Sequence, residues 1–181
     1  GLEPVGRIPD MSRVRRGSLS GTPAHIRSSL GSVMNYSFFK TRDMRVQLRG
    51  GEFTGTLPLL YVFLARAGKT INDVSLVTLD KDGVEQTAGE TLTRGAPTGV
   101  KIAFAGTDGK PRTLYYFSTD LSDGGVADSG FLKFCERLGD ADSLIKSASY
   151  LLHSREFSKV RDFLLARSAS ILQDDSGIPV Q

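Results

Sequence analysis

The sequence predicts an α/β fold, with a mixed sheet flanked by helices and a Rossmann-like arrangement as the first choice. Three observations lead to this prediction. Apolar residues recur at helical spacing before residue 67, alternate at strand spacing between residues 74 and 118, and return to helical spacing after residue 129. This order of elements suits helices layered on a sheet, but it leaves an α+β fold open as the alternative. A Rossmann-like sheet would require at least one more strand before Gly1.

Composition agrees with one soluble α/β domain over residues 1–181. Hydrophobic residues make up 39% of the chain and charged residues 24%, which is ordinary for a globular protein. The longest apolar run, LPLLYVFLARA, is shorter than the ~20 residues that span a bilayer, so we expect no transmembrane segment. Because the chain begins at Gly1 without Met, we expect it to be part of a longer parent chain.

The first elements are a loop, a linker and two helices. GLEPVG predicts a loop, and residues 11–21 predict a basic, flexible linker rich in Gly and Ser. Thr22 and Pro23 suit the start of a helix with an apolar stripe that runs to Phe38. LPLLYVFLARA predicts a buried helix, with Leu59, Leu60, Val62, Phe63 and Leu64 inside, and Gly68 follows its end.

The middle of the chain predicts strands. VSLVTL is followed by DKDG, a turn sequence that leads into a return strand. GVKIAFA and RTLYYFS flank the short turn TDGKP, so we expect these two strands to pair antiparallel.

Three helices and a strand are predicted at the C-terminal end. Ser129 suits the cap of the first helix and Gly139 its end. Asp140 or Asp142 suits the cap of the second, which would place Leu144 and Ile145 inward. The third would begin at Ser154, and SILQ would then be extended.

Motifs for catalysis and for metal binding fail in their context. GKT lacks the first glycine of a phosphate loop and follows a helix rather than a strand. DKDG lacks the later ligands of a calcium loop. Cys135 falls on an apolar stripe, which indicates a packed thiol rather than a nucleophile. We therefore predict no metal site, and the sequence identifies no cofactor.

Two acidic loops are the candidate ligand site. Asp120 and Asp123 follow one predicted strand, and Asp174 and Asp175 follow another. If the two strands were parallel neighbours, their carboxyl ends would bring these side chains together to bind a ligand. The alternative is that they are only turn residues, as Asp often is before Gly. Glu3 is a further candidate, because an acid after an early strand often binds ribose hydroxyls in Rossmann-like folds.

A basic front end adds a candidate anion site. Residues 1–49 contain nine Lys/Arg and three Asp/Glu, a net charge of +6. Arg13, Arg15 and Arg16 form the densest basic run, which could contact phosphate or an acidic surface. This run contains no aromatic residue for base stacking, so we do not expect nucleic acid to be a partner.

The stretch KSASYLLHSREFSKVRDFLLARSASILQDDSGIPV (Lys146 to Val180) resembles a block in a family of uncharacterised exported bacterial proteins. GLEPVG and TLPLLYVFLARAG are similar to other parts of that family. The resemblance implies export to the periplasm or cell envelope, as part of a longer chain, and it supplies no activity. The residues themselves leave the cytoplasm open.

The expected function is therefore an exported domain that binds a small ligand or an envelope component, without evident catalysis. The alternative is a Rossmann-like enzyme of the transferase type, which would use the acidic loops.

Overall fold

A computed structural model describes residues 4–14, 17, 24, 26–28, 53–88, 97–145 and 154–172. The helices are α1 (Leu57–Arg66), α2 (Asp123–Ala127), α3 (Phe131–Arg137) and α4 (Ser158–Arg167), with 3-10 turns at Met11–Arg13 and Arg155–Phe157. The strands are β1 (Thr70–Leu79), β2 (Glu85–Thr87), β3 (Thr98–Ala105), β4 (Pro111–Ser118), β5 (Leu144–Ile145) and β6 (Ile171–Leu172). Most of the helix predicted over 22–38 lies outside these residues.

The main sheet has four strands in the order β2-β1-β3-β4 and is antiparallel and open. β3 and β4 pair along their whole length, from Thr98 opposite Ser118 to Ala105 opposite Pro111, which confirms the predicted hairpin. The prediction of a sheet with helices is confirmed, whereas the Rossmann-like arrangement is not supported. The physical reason is the connection length, because a short turn returns the chain antiparallel and a parallel neighbour needs a crossover of a dozen or more residues.

Helix α1 ends in the two backbone hydrogen bonds of a Schellman motif. The Gly68 N–H donates to the Ala65 carbonyl at 3.1 Å, and the Lys69 N–H donates to the Leu64 carbonyl at 2.9 Å. Gly68 has a φ of +66°, which glycine adopts without steric cost. GKT therefore closes a helix and leads into β1, so the rejection of a phosphate loop is confirmed.

The chain divides into two compact units. The first comprises residues 1–77, 87–92 and 98–118, and the second comprises 78–86, 93–97 and 119–181. The organisation of 1–181 as a single domain stays a prediction.

The core of the first unit lies between α1 and one face of the sheet. Its buried members are Val5, Leu57, Leu64, Val100 and Ile102. Val5 is held there because its carbonyl accepts the Leu57 N–H at 3.0 Å. The prediction that α1 is buried on nearly every side is correct for Leu59, which has no exposed surface, but wrong for Phe63, which is 39% exposed. Helix α1 therefore packs Leu57 and Leu64 into this core, while Phe63 stays partly exposed although Leu59, one helical turn before it, is buried.

The predicted second C-terminal helix is corrected at Leu144 and Ile145 only, because its remaining residues, from Lys146 on, lie outside the described residues. Leu144 and Ile145 lie in strand β5, which pairs parallel with β6, whereas their spacing predicted a helix. The prediction failed because two apolar residues in a row fit a helix and a short strand equally well, and only a partner strand decides between them. The predicted end of α3 is confirmed, because Gly139, with a φ of +87°, follows that helix. The predicted start of the third helix at Ser154 is corrected: the Ser154 hydroxyl accepts the Glu156 N–H at 3.4 Å and caps a 3-10 turn, and α4 begins at Ser158.

Among the helices that the structure describes, none combines the length and the hydrophobicity needed to cross a bilayer.

Candidate functional site

The acidic loop after β4 builds its own turn. The Asp120 carboxylate accepts the Ser122 N–H at 2.9 Å, and the Ser122 hydroxyl accepts the Gly125 N–H at 3.1 Å. The first contact is an Asx turn, and the second caps helix α2. Asp120 itself is exposed. The turn role that the sequence offered as an alternative is thus realised for Asp120.

Asp123 caps a helix that lies 35 residues further along the chain. Its carboxylate accepts the Ser158 hydroxyl at 2.5 Å and the Lys159 N–H at 2.8 Å, and its carbonyl accepts the Lys159 ammonium at 3.2 Å. The local N-cap of α4, Phe157, provides no side-chain hydrogen bond to the helix. Asp123 therefore satisfies an N–H of the first turn of α4 that the neighbouring sequence leaves without a cap.

The electrostatics of Asp123 follow from these contacts. The hydrogen bond from Ser158, and then that from the Lys159 N–H, hold the pKa of Asp123 below its usual range. A negative charge is also favourable at the N-terminus of a helix. Asp123 is consequently an ionised carboxylate whose two oxygens are both engaged within the protein.

Strands β5 and β6 form a small parallel pair joined through α4. Leu144 lies opposite Ile171, and Ile145 lies opposite Leu172. Ile145 and Leu172 form the last described pair, toward the carboxyl ends of both strands. In α/β units this edge, the carboxyl end of parallel strands, is where ligands bind.

The C-terminal end of α4 is tied to the chain just before β5. The Arg167 guanidinium contacts Glu136 at 2.7 Å and Asp140 at 3.1 Å, and it lies 5.2 Å from the centre of the Phe163 ring. The Ala141 N–H donates to the Arg167 carbonyl at 2.8 Å. These contacts hold the end of α4 beside the start of β5, which sets the two short strands in register.

The two acidic loops follow strands of different sheets. Asp120 and Asp123 follow β4 in the four-stranded sheet, whereas SILQ contains β6, whose partner is β5. The arrangement expected to bring the loops together, parallel neighbouring strands, is therefore not present. Asp174, Asp175 and Glu3 lie outside the described residues, so their part in a ligand site stays a prediction.

The basic run is described at Arg13 only. Its guanidinium contacts Asp10 at 3.1 Å, and Asp10 also accepts the Ser12 hydroxyl at 2.6 Å. Both charged side chains are well exposed, so water screens this pair strongly. Arg15 and Arg16 lie outside the described residues, and the anion site stays a prediction.

The DKDG segment is a structural turn. Asp80 accepts the Val84 N–H at 2.8 Å and the Asp82 N–H at 2.9 Å, and these bonds, the first above all, lower its pKa. Asp82 pairs with Lys133 of α3 at 2.9 Å. In the part of the chain that the structure describes, no three His, Cys, Asp or Glu side chains gather closely enough to hold a metal ion.

Cys135 is half-buried on α3, and burial raises the pKa of its thiol to about 11. A thiol with a raised pKa carries little thiolate at neutral pH and is a poor nucleophile. The predicted packing role of Cys135 agrees with this environment.

The sequence analysis named Asp123 as a candidate ligand-binding residue but did not predict its hydrogen-bond partners, Ser158 and Lys159. The only local signal was the aromatic Phe157 at the position where a capping side chain normally stands. That signal shows a missing cap without saying which distant residue replaces it.

Comparison of the chain with protein-family models, curated proteins and solved structures found no match.

Proposed function

We propose that this chain is a binding domain of an exported bacterial protein, which takes a small ligand or an envelope component at the carboxyl ends of β5 and β6 without catalysing a reaction. The observation that supports it is the parallel pairing of these strands, with Ile145 opposite Leu172 at their common end. Polar groups of the segments that follow such an edge are the usual ligand contacts in α/β units.

The sequence after each strand has suitable chemistry. Lys146 and Ser147 follow β5, and Gln173, Asp174 and Asp175 follow β6. An ammonium, a hydroxyl, an amide and two carboxylates provide donors and acceptors for a polar ligand. Asp174 and Asp175 are therefore the preferred members of the predicted acidic site.

The roles of Asp120 and Asp123 favour binding over the catalytic alternative. A transferase-type enzyme of the kind considered would use these carboxylates to bind hydroxyls or move protons. Both carboxylate oxygens of Asp123 instead accept hydrogen bonds from residues of α4, and its lowered pKa makes it a weak base. The antiparallel sheet also removes the Rossmann-like argument for the enzyme.

The test of binding is a thermal-shift screen of nucleotides, S-adenosylmethionine and divalent metals. The variants are Asp174→Asn and Asp175→Asn, and the matched control is Asp142→Asn, an exposed carboxylate before β5. A ligand at 100 times its Kd stabilises the folded state by about 2.7 kcal/mol, which a melting curve detects. We expect a compound that stabilises the wild type and the control, but neither of the other two variants.

A compound whose stabilisation survives both Asp174→Asn and Asp175→Asn would place binding elsewhere and overturn the site. If no compound changes the melting temperature of the wild type or of any of the three variants, the binding site is contradicted and Asp174 and Asp175 are turn residues only.

Export is tested separately by fusing alkaline phosphatase to the C-terminus of the full-length protein in a bacterial host. Alkaline phosphatase needs disulfides and becomes active only outside the reducing cytoplasm. We expect an active fusion. A full-length fusion that accumulates without activity would contradict export while leaving the binding proposal standing.

A further inference from the structure

We draw no further inference here: the strongest candidate, the strip on the face of β3 and β4 opposite α1, where the Lys101 ammonium lies 5.6 Å from the centre of the half-buried Tyr115 ring and Tyr115 stacks on the buried Phe117, carries nothing because nothing in the structure shows what covers it.

Discussion

At the scale of single residues, the partners of a side chain decide its role more than its type does. Asp120 and Asp123 stand three positions apart in one loop, yet one closes its own turn and the other caps a helix 35 residues away. Both are short acceptors in a stretch rich in serine and glycine, so the local sequence predicts the same turn role for each. The difference arises because α4 begins beside Asp123.

The cap predicts an order of stability among variants. Asp123→Asn keeps an acceptor for the Lys159 N–H but loses the charge, and Asp123→Ala loses both, so we expect the melting temperature to fall from wild type to Asn to Ala. The control is Asp128→Ala, an exposed carboxylate at the end of α2, which we expect to melt like the wild type. Equal melting of Asp123→Ala and the wild type would show that the cap contributes nothing.

The same carboxylate predicts a dependence on pH. Because the folded pKa of Asp123 lies below the ordinary value of an aspartate, its stabilisation is complete above that ordinary value and is lost as the pH falls through the folded pKa. The melting temperatures of the wild type and Asp123→Asn should therefore stay apart at neutral pH and converge as the pH falls through the folded pKa of Asp123. A gap that is constant from neutral to acidic pH would mean that hydrogen-bond geometry, rather than charge, explains it.

Burial along α1 predicts unequal costs for two truncations. Leu59 has no exposed surface, so Leu59→Ala should lower the free energy of unfolding by about 2–5 kcal/mol through lost burial and a cavity. Phe63 is 39% exposed, so Phe63→Ala should cost less than about 2 kcal/mol. Urea unfolding measures both, and each variant places Ala at a helical position, which balances helix propensity. A larger cost at Phe63 would contradict the orientation of α1.

At the scale of elements, the β1–β2 turn is joined to the start of α3. Asp80 organises the turn through its carboxylate, and Asp82 pairs with Lys133. Gly130, just before α3, has a φ of +72°, and a Cβ there would overlap the Asp80 carbonyl oxygen. Two elements that are far apart in sequence therefore approach at a position where only glycine fits.

This approach predicts different effects for two glycines of equal conformation. Gly109, in the β3–β4 turn, has a φ of +73° with nothing near a built Cβ, so Gly109→Ala should cost only the positive-φ strain, about 1–2 kcal/mol. Gly130→Ala carries the same strain and adds the overlap, so it should cost clearly more. Urea unfolding gives both values. Equal costs would mean that the turn and α3 separate easily.

At the scale of the whole molecule, the two sheets differ in how much pairing supports them. β3 and β4 form eight register pairs, whereas β5 and β6 form two. Local opening is cheaper where fewer hydrogen bonds and contacts must break together. The fold therefore combines an extended antiparallel hairpin with a short parallel pair that depends on α4 and its ends.

This difference predicts the pattern of amide hydrogen exchange. Peptides that cover Val100–Phe104 and Leu114–Phe117 should exchange slowly, and those that cover β5 and β6 should exchange faster at neutral pH. Mass spectrometry of the intact, unmodified chain measures both at once. Equal protection from exchange in both sheets would show that the contacts with α4 stabilise the β5–β6 pair as much as the β3–β4 pairing stabilises the hairpin. A ligand that binds as proposed should slow exchange at β5 and β6 selectively.

Local chemistry was enough for the features that neighbouring residues determine. The β3–β4 hairpin, the DKDG turn, the end of α1 at Gly68 and the end of α3 at Gly139 were all predicted. Each depends on alternation, a turn residue, a cap or a positive φ within a few positions of the chain. The same reasoning rejected the phosphate loop, because that motif requires a strand before it and a helix after it.

Only the tertiary structure decided the features that depend on distant partners. Leu144 and Ile145 became a strand because Ile171 and Leu172 lie beside them, and Phe63 stays partly exposed although Leu59, one helical turn before it, is fully buried. Asp123 became a cap because α4, whose preceding residue is Phe157, begins next to it. Pairing, burial and capping between segments far apart are set by how the whole chain packs, and single-sequence patterns do not contain that information.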